Sequence, residues 1–156
     1  MATKLAKLLS LAPGDLGLFA KAWCLFAYVD WVVSRRSYES WPDWMRVEPP
    51  KVKSRLVVAE CDVPKAISRI IRLSEAAGRR HLREMNCLRR CLVQRRLLGL
   101  EGIPTVLQIG VIRVDGALKA HSWLSSAQVP INDSVDNLSQ YTALAENDNR
   151  IIDALF

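Results

Sequence analysis

The stretch NCLRRCLVQRRLLGLEGIPTVLQIGVIRVDGALKAHSWL, Asn86 to Leu124, changes its period in the middle. In its first part Leu88, Leu92 and Leu98, with Val93 filling in, recur at helical spacing. Asn86 is a good N-cap and places Cys87 in the first turn of a helix that ends at Gly99 or Gly102. The second part is β-branched. "IPTVLQIGVIRV" is bounded by Pro104 and an Asp115-Gly116 turn, and "ALKAHSWLSS" follows as its hairpin partner. "AQVPIND" reads as a third strand, after which the chain turns polar and closes on the short apolar run "RIIDALF".

Upstream of this stretch the pattern is helical. A first helix, capped by Asp15, runs to about Arg36 through "GLFAKAWCLFAYVDWVV", which is apolar on nearly all sides except at Lys21 and Asp30. A membrane-spanning helix takes roughly 20 mainly apolar residues. Both charges fall inside any such window here, so the segment reads as a core helix, with an interfacial membrane helix as the alternative. "SYESWPDWMRVEPPKVKS" reads as a loop pinned by Trp41 and Trp44. A second helix begins at Asp62 as cap, takes Pro64 in its first turn, and stops at Gly78. Helices followed by an antiparallel sheet give an α+β chain. It divides into a helical extension and linker over 1–60 and a core over 61–156 in which a cysteine-bearing helix packs on a small sheet.

The chain has 156 residues, half of them hydrophobic, which suits one domain with a substantial core. The charge of +6 and pI near 9.4 favour an acidic partner: a peptide, a nucleic acid or a membrane surface. Cys24, Cys61, Cys87 and Cys91 follow no secretory signal, which implies reduced thiols in the cytoplasm rather than a disulfide framework. Zinc would need two further ligands beside Cys87 and Cys91, and His81 and His121 form no ligand pair.

A thiol attacks a carbonyl as thiolate, and a helix N-terminus with nearby cations favours that form. Cys87, next to the cap and beside Arg89 and Arg90, is therefore a better nucleophile than Cys91, a full turn deeper. The backbone N–H groups of that helix start would serve as oxyanion donors. Gln108 is a polar residue in an apolar strand, for which solvent exposure is the simple account. His121 would act as general base and then acid, and Asp133 would orient its ring. Residue types alone also permit inert packing of both cysteines, which is the usual fate of a buried thiol.

Beyond these residue types, "NCLRRCLVQRRLLGLEGIPTVLQIGV", then "AHSW", then "IND" and a later Tyr141 resemble the transglutaminase-like leader peptidases of lasso-peptide biosynthesis. That family's pattern is close to C-L-x-R, paired leucines, a Gly-Ile and an "IGV" strand, then A-H-A-W-V-E and a late n-D. Cys87, Leu88, Arg90, Leu97, Leu98, Gly102, Ile103, Ile109, Gly110 and Val111 match its first part. Ala120, His121 and Trp123 match the second, and Asn132 with Asp133 the third. The match covers Asn86 to Leu144. Ser122 departs from the usual Ala, and Leu124-Ser125 from the usual Val-Glu.

The resemblance implies a cysteine peptidase that removes the leader of a precursor peptide before a separate cyclase closes the macrolactam. It places Cys87, His121 and Asp133 as the catalytic triad and requires neither metal nor organic cofactor. The first 60 residues hold no small winged-helix module, so a separate leader-recognition protein is expected to bring the leader. Two rivals stand beside this reading. One is acyl transfer to an amine on the same triad. The other is a basic nucleic-acid-binding protein, since ten Lys or Arg between Lys65 and Arg96 face only Glu75 and Glu84. Aromatics are sparse in that basic stretch, which disfavours nucleic acid as partner.

Overall fold

The computed structural model describes residues 11–46 and 59–144. The Pro-rich linker over 47–58 and the apolar end "RIIDALF" lie outside the described residues. Among the described residues three α-helices, α1 (Pro13–Arg35), α2 (Val63–Gly78) and α3 (Cys87–Leu100), precede a sheet of β1 (Val106–Val114), β2 (Ala117–Ser126), β3 (Val129–Pro130) and β4 (Thr142–Ala143). A single turn, α4 (Val135–Leu138), lies between β3 and β4. The sheet order is β3-β2-β1-β4 with every pairing antiparallel.

Helix α1 begins earlier than its sequence suggests. Pro13, whose missing N–H costs nothing in a first turn, starts it after Ala12, and no side chain caps it. Asp15 is thus not the cap. Its carboxylate accepts from Arg69 Nε at 2.6 Å and Arg72 Nη2 at 3.3 Å, which ties α1 to α2. Asp62 does stand at the N-cap position of α2, but it caps nothing; it pairs with Lys65 at 3.2 Å. Asn86 behaves as expected, its Oδ1 accepting from Arg89 N at 3.0 Å. Helix α3 ends at Leu100, between the two glycines expected to stop it, and Gly102 supplies the left-handed turn at φ 76°.

The interior is shared by helices and sheet. Phe26, Val29 and Val32 of α1 lie in one buried cluster with Ile70 of α2, Leu88, Leu92 and Leu98 of α3, Leu107 of β1 and Leu124 of β2. The helix expected as an extension therefore lends its buried face to the same core. It is the one helix among the described residues long and apolar enough to cross a membrane. Here it instead buries Ala22, Phe26, Val29 and Val33 against protein. Gly78 permits that closeness: a Cβ there would stand 3.0 Å from the Phe26 ring. Trp41 is buried and Trp44 packs against the core, as their pinning role requires.

The long hairpin follows the sequence. Asp115 and Gly116 take φ of 52° and 81°, the conformation of a two-residue primed turn. They fix a register from Val114 opposite Ala117 to Val106 opposite Ser125. The third strand is shorter than expected. Only Val129 and Pro130 pair, and the chain leaves the sheet before Asn132 and Asp133. Strand β4 has no counterpart in the sequence reading; Thr142 and Ala143 pair with Val111 and Gly110 from inside the polar tail.

Candidate active site

Cys87 is the first residue of α3 and is half-buried. Of the N–H groups that a helix start leaves without intrahelical partners, that of Arg89 is taken by the Asn86 side chain. The amides of Cys87 and Leu88 remain ahead of the first intrahelical bond, from Arg90 N to Asn86 O. The positive end of the helix dipole thus lies at the turn that carries the sulfur.

His121 and Asp133 meet directly. The imidazole Nε2 lies 2.5 Å from Asp133 Oδ2, with the two side chains 22% and 19% exposed. Asp133 is held in turn. Its Oδ1 accepts from Ser134 N at 2.7 Å, and Asn137 Nδ2 donates to both oxygens at 3.0 and 3.1 Å. Partial burial opposes ionisation of this carboxyl. The bonds from His121, Asn137 and Ser134 outweigh it and keep the pKa below the ordinary Asp value. With Nε2 committed to a carboxylate, the imidazole keeps Nδ1 for a proton acceptor's role. The ring lies against Tyr141, at 5.2 Å between centroids, and stacks with Trp123 at 6.3 Å. Gly110, opposite His121 in β1, leaves room for this group: a Cβ there would stand 2.9 Å from both Trp123 and Tyr141. Gln108, opposite Trp123, lies on the same face.

The thiol reaches the next position of that strand. Ser122 Oγ donates toward Cys87 Sγ at 3.7 Å. Neighbouring residues on a strand point to opposite faces, so the structure brings Cys87 to Ser122 rather than into a hydrogen bond with the imidazole.

Cys91 differs in every respect. It is 1% exposed, donates to Ser122 O at 3.3 Å, and accepts from Asn132 Nδ2 at 3.3 Å. Burial pushes its thiol far up, out of the range of a useful nucleophile.

Sequence reading did not find the polar layer beneath the site. Gln94, fully buried, donates to Glu75 Oε1 at 2.9 Å and accepts from Asn132 Nδ2 at 2.8 Å. Asn132 Oδ1 takes the Leu124 N–H at 2.8 Å. This chain fixes the residue directly before Asp133. A signal existed: Gln94 falls at helical spacing with Cys87, Cys91 and Leu98, a polar residue on the core face.

The arginines are arranged otherwise than expected. Arg89 donates to Asp30 at 2.8 Å and to Ser34 at 3.0 Å, and Arg90 pairs with Glu75 at 3.2 Å. Both guanidinium groups thus point to carboxylates, while Arg90 Nε is buried without a hydrogen-bond partner among the described residues. Arg83 also meets Asp30, at 2.9 Å, and Arg79 meets Glu75 at 3.6 Å. An open cleft of roughly 330 Å³ lies over the Asp30 pair, lined by Ser34, Arg83, Glu84, Asn86 and Arg89.

A cysteine at a helix start, set beside a strand that carries a carboxylate-bound histidine, defines the thiol enzymes of the papain and transglutaminase kind. Residues 27–146 match the family model of the transglutaminase-like superfamily, and the chain belongs to that superfamily. No curated protein and no solved structure matches it at a significant level.

Proposed function

We propose that this protein is a cysteine peptidase that removes the leader from a ribosomally made lasso-peptide precursor, with Cys87, His121 and Asp133 as its triad. The observation that carries the reading is the bond between His121 and Asp133 beside a thiol at the capped start of α3. Superfamily membership and the sequence resemblance from Asn86 to Leu144 support it.

In this mechanism Nδ1 of His121 takes the Cys87 proton as the sulfur attacks the carbonyl of the last leader residue. The Cys87 and Leu88 amides receive the developing oxyanion. The imidazolium, held by Asp133, then gives its proton to the departing amine of the core peptide. Water, deprotonated by the same nitrogen, releases the leader acid and restores the thiol. A separate recognition protein presents the leader, and a cyclase consumes the freed amine. The reaction runs in the cytoplasm.

The test is mass spectrometry of precursor incubated with the protein and its recognition partner, for wild type, Cys87→Ala and Cys91→Ala. Release of an intact leader acid by wild type and Cys91→Ala, but not by Cys87→Ala, is expected. Equal cleavage by all three would refute the thiol mechanism. A leader conjugated to an added amine would instead identify an acyltransferase.

A further inference from the structure

The residue after the histidine departs from the resembling pattern, Ser122 standing where Ala is usual. The departure is placed where it matters chemically. Ser122 is 2% exposed, and its Oγ finds one partner among the described residues, the Cys87 sulfur at 3.7 Å. A buried hydroxyl with no partner is costly, and a neutral thiol is a weak acceptor. A thiolate is a strong one, because a bond to an ionised acceptor is about twice as strong as a neutral bond. The hydroxyl therefore interacts unequally with the two protonation states of Cys87. Such inequality is what shifts an ionisation equilibrium. Of the neighbouring cations, Arg89 is bound to Asp30, and Arg90 meets Glu75 through Nη1.

We propose that Ser122 is a further residue of the Cys87 site, whose hydroxyl donates to the sulfur and stabilises the thiolate. The proposal rests on the reading of Cys87 as nucleophile. When the thiol proton passes to His121, the sulfur keeps the electron pair and the Ser122 O–H turns toward it; no proton leaves the serine. The backbone of the same residue holds Cys91, whose thiol donates to Ser122 O. One strand position thus contacts both thiols of α3 and discriminates between them.

The test measures the thiolate without using peptidase activity. Iodoacetamide alkylates the thiolate, forming a C–S bond and expelling iodide. The rate at Cys87 is read by peptide mapping from pH 5 to 10, with the exposed Cys24 and Cys61 as internal references. Ser122→Ala is expected to lower the Cys87 alkylation rate roughly tenfold on the acidic side of its curve. Cys24 and Cys61 should not move, and Ser122→Thr should restore the curve. A Cys87 curve identical in wild type and Ser122→Ala, or a Thr variant shifted as far as the Ala variant, overturns the proposal. Should Ser122→Ala lose its fold by circular dichroism, Ser122→Val against Ser122→Thr, matched in shape, carries the same comparison, and equal curves there overturn it. A chain that shows the shift but releases no leader refutes the peptidase reading alone. A chain that cleaves with an unshifted curve refutes the serine contact alone.

Discussion

Replacing Asp133 with Asn isolates the work of one oxygen. In the native site Oδ1 accepts from Ser134 N at 2.7 Å and from Asn137 at 3.0 Å, while Oδ2 faces His121 Nε2 at 2.5 Å and accepts more weakly from Asn137 at 3.1 Å. An amide must choose which end to present. With its NH₂ toward Ser134, two donors would collide at 2.7 Å. The favoured orientation keeps the carbonyl there and turns the NH₂ to the imidazole. Nε2 must then accept, so the proton moves to Nδ1, the nitrogen that should receive it from Cys87. An imidazole held in the wrong tautomer costs about 10⁴ in kcat in related triads, which is about 5.5 kcal/mol of barrier. Asp133→Asn is therefore expected to fold and to release leader about 10³–10⁴ times more slowly in single-turnover mass spectrometry. Nitrogen-15 NMR of His121 should show the proton on Nε2 in wild type and on Nδ1 in the variant. A folded variant within tenfold of wild type, or one with an unchanged tautomer, refutes the orienting role of Asp133.

Cys91→Ala should keep leader release within a few-fold of wild type. It should lower stability by about 1–2 kcal/mol in denaturant titration, since it deletes a buried sulfur bonded to Ser122 O and Asn132. Gly110→Ala places a Cβ 2.9 Å from Trp123 and Tyr141. It should cost about 1–3 kcal/mol by overpacking and also reduce leader release, because the displaced rings flank His121. Burial opposes the charge of Asp30, but the bonds from Arg83 and Arg89 outweigh it and hold its pKa below the ordinary Asp value. The stability this carboxylate contributes is complete above the unfolded pKa of about 3.9 and is lost as pH falls through the folded value. Asp30→Asn should then lower Tm at pH 7, and the gap to wild type should narrow below pH 4. A gap constant from pH 7 to pH 3 would refute the linkage.

The residues legible in the sequence were those whose local chemistry decides their conformation. Asn86 could be read as a cap because its side chain serves a backbone amide three residues on. Asp115-Gly116 could be read as a turn because both residues take positive φ. The misreadings have a common cause. Asp15 and Asp62 have the right chemistry for caps, and each found a cation instead. For Asp15 the partners come from residues more than fifty positions away, and local pattern carries no trace of them. The two-residue strand β4 was invisible because its pairing to Gly110 and Val111 is set by the chain's return from the site. Of the candidate site, residue types and resemblance pointed to Cys87, His121 and Asp133, and the fold pairs the last two. The contact of Ser122 with the thiol depends on how α3 meets β2, which only the fold reveals.

Seven of the ten basic residues between Lys65 and Arg96 are paired with carboxylates. The local charge excess seen in sequence is thus largely spent on Asp15, Asp30, Asp62 and Glu75. That changes the electrostatic account of the thiol. The short-range groups at Cys87 are the helix start and the Ser122 hydroxyl. The same logic explains why two cysteines one turn apart differ. At Cys91 the helix dipole has faded, solvent is gone, and the surrounding donors and acceptors are already matched by Asn132 and Ser122 O. Charging that sulfur would cost more in desolvation than the Asn132 donor returns. At Cys87 the helix start is adjacent and the side chain is only half-buried. Position along one helix therefore divides the two thiols, the deeper one bonded to the Glu75–Gln94–Asn132 layer that precedes Asp133 and the outer one half-buried at the helix start.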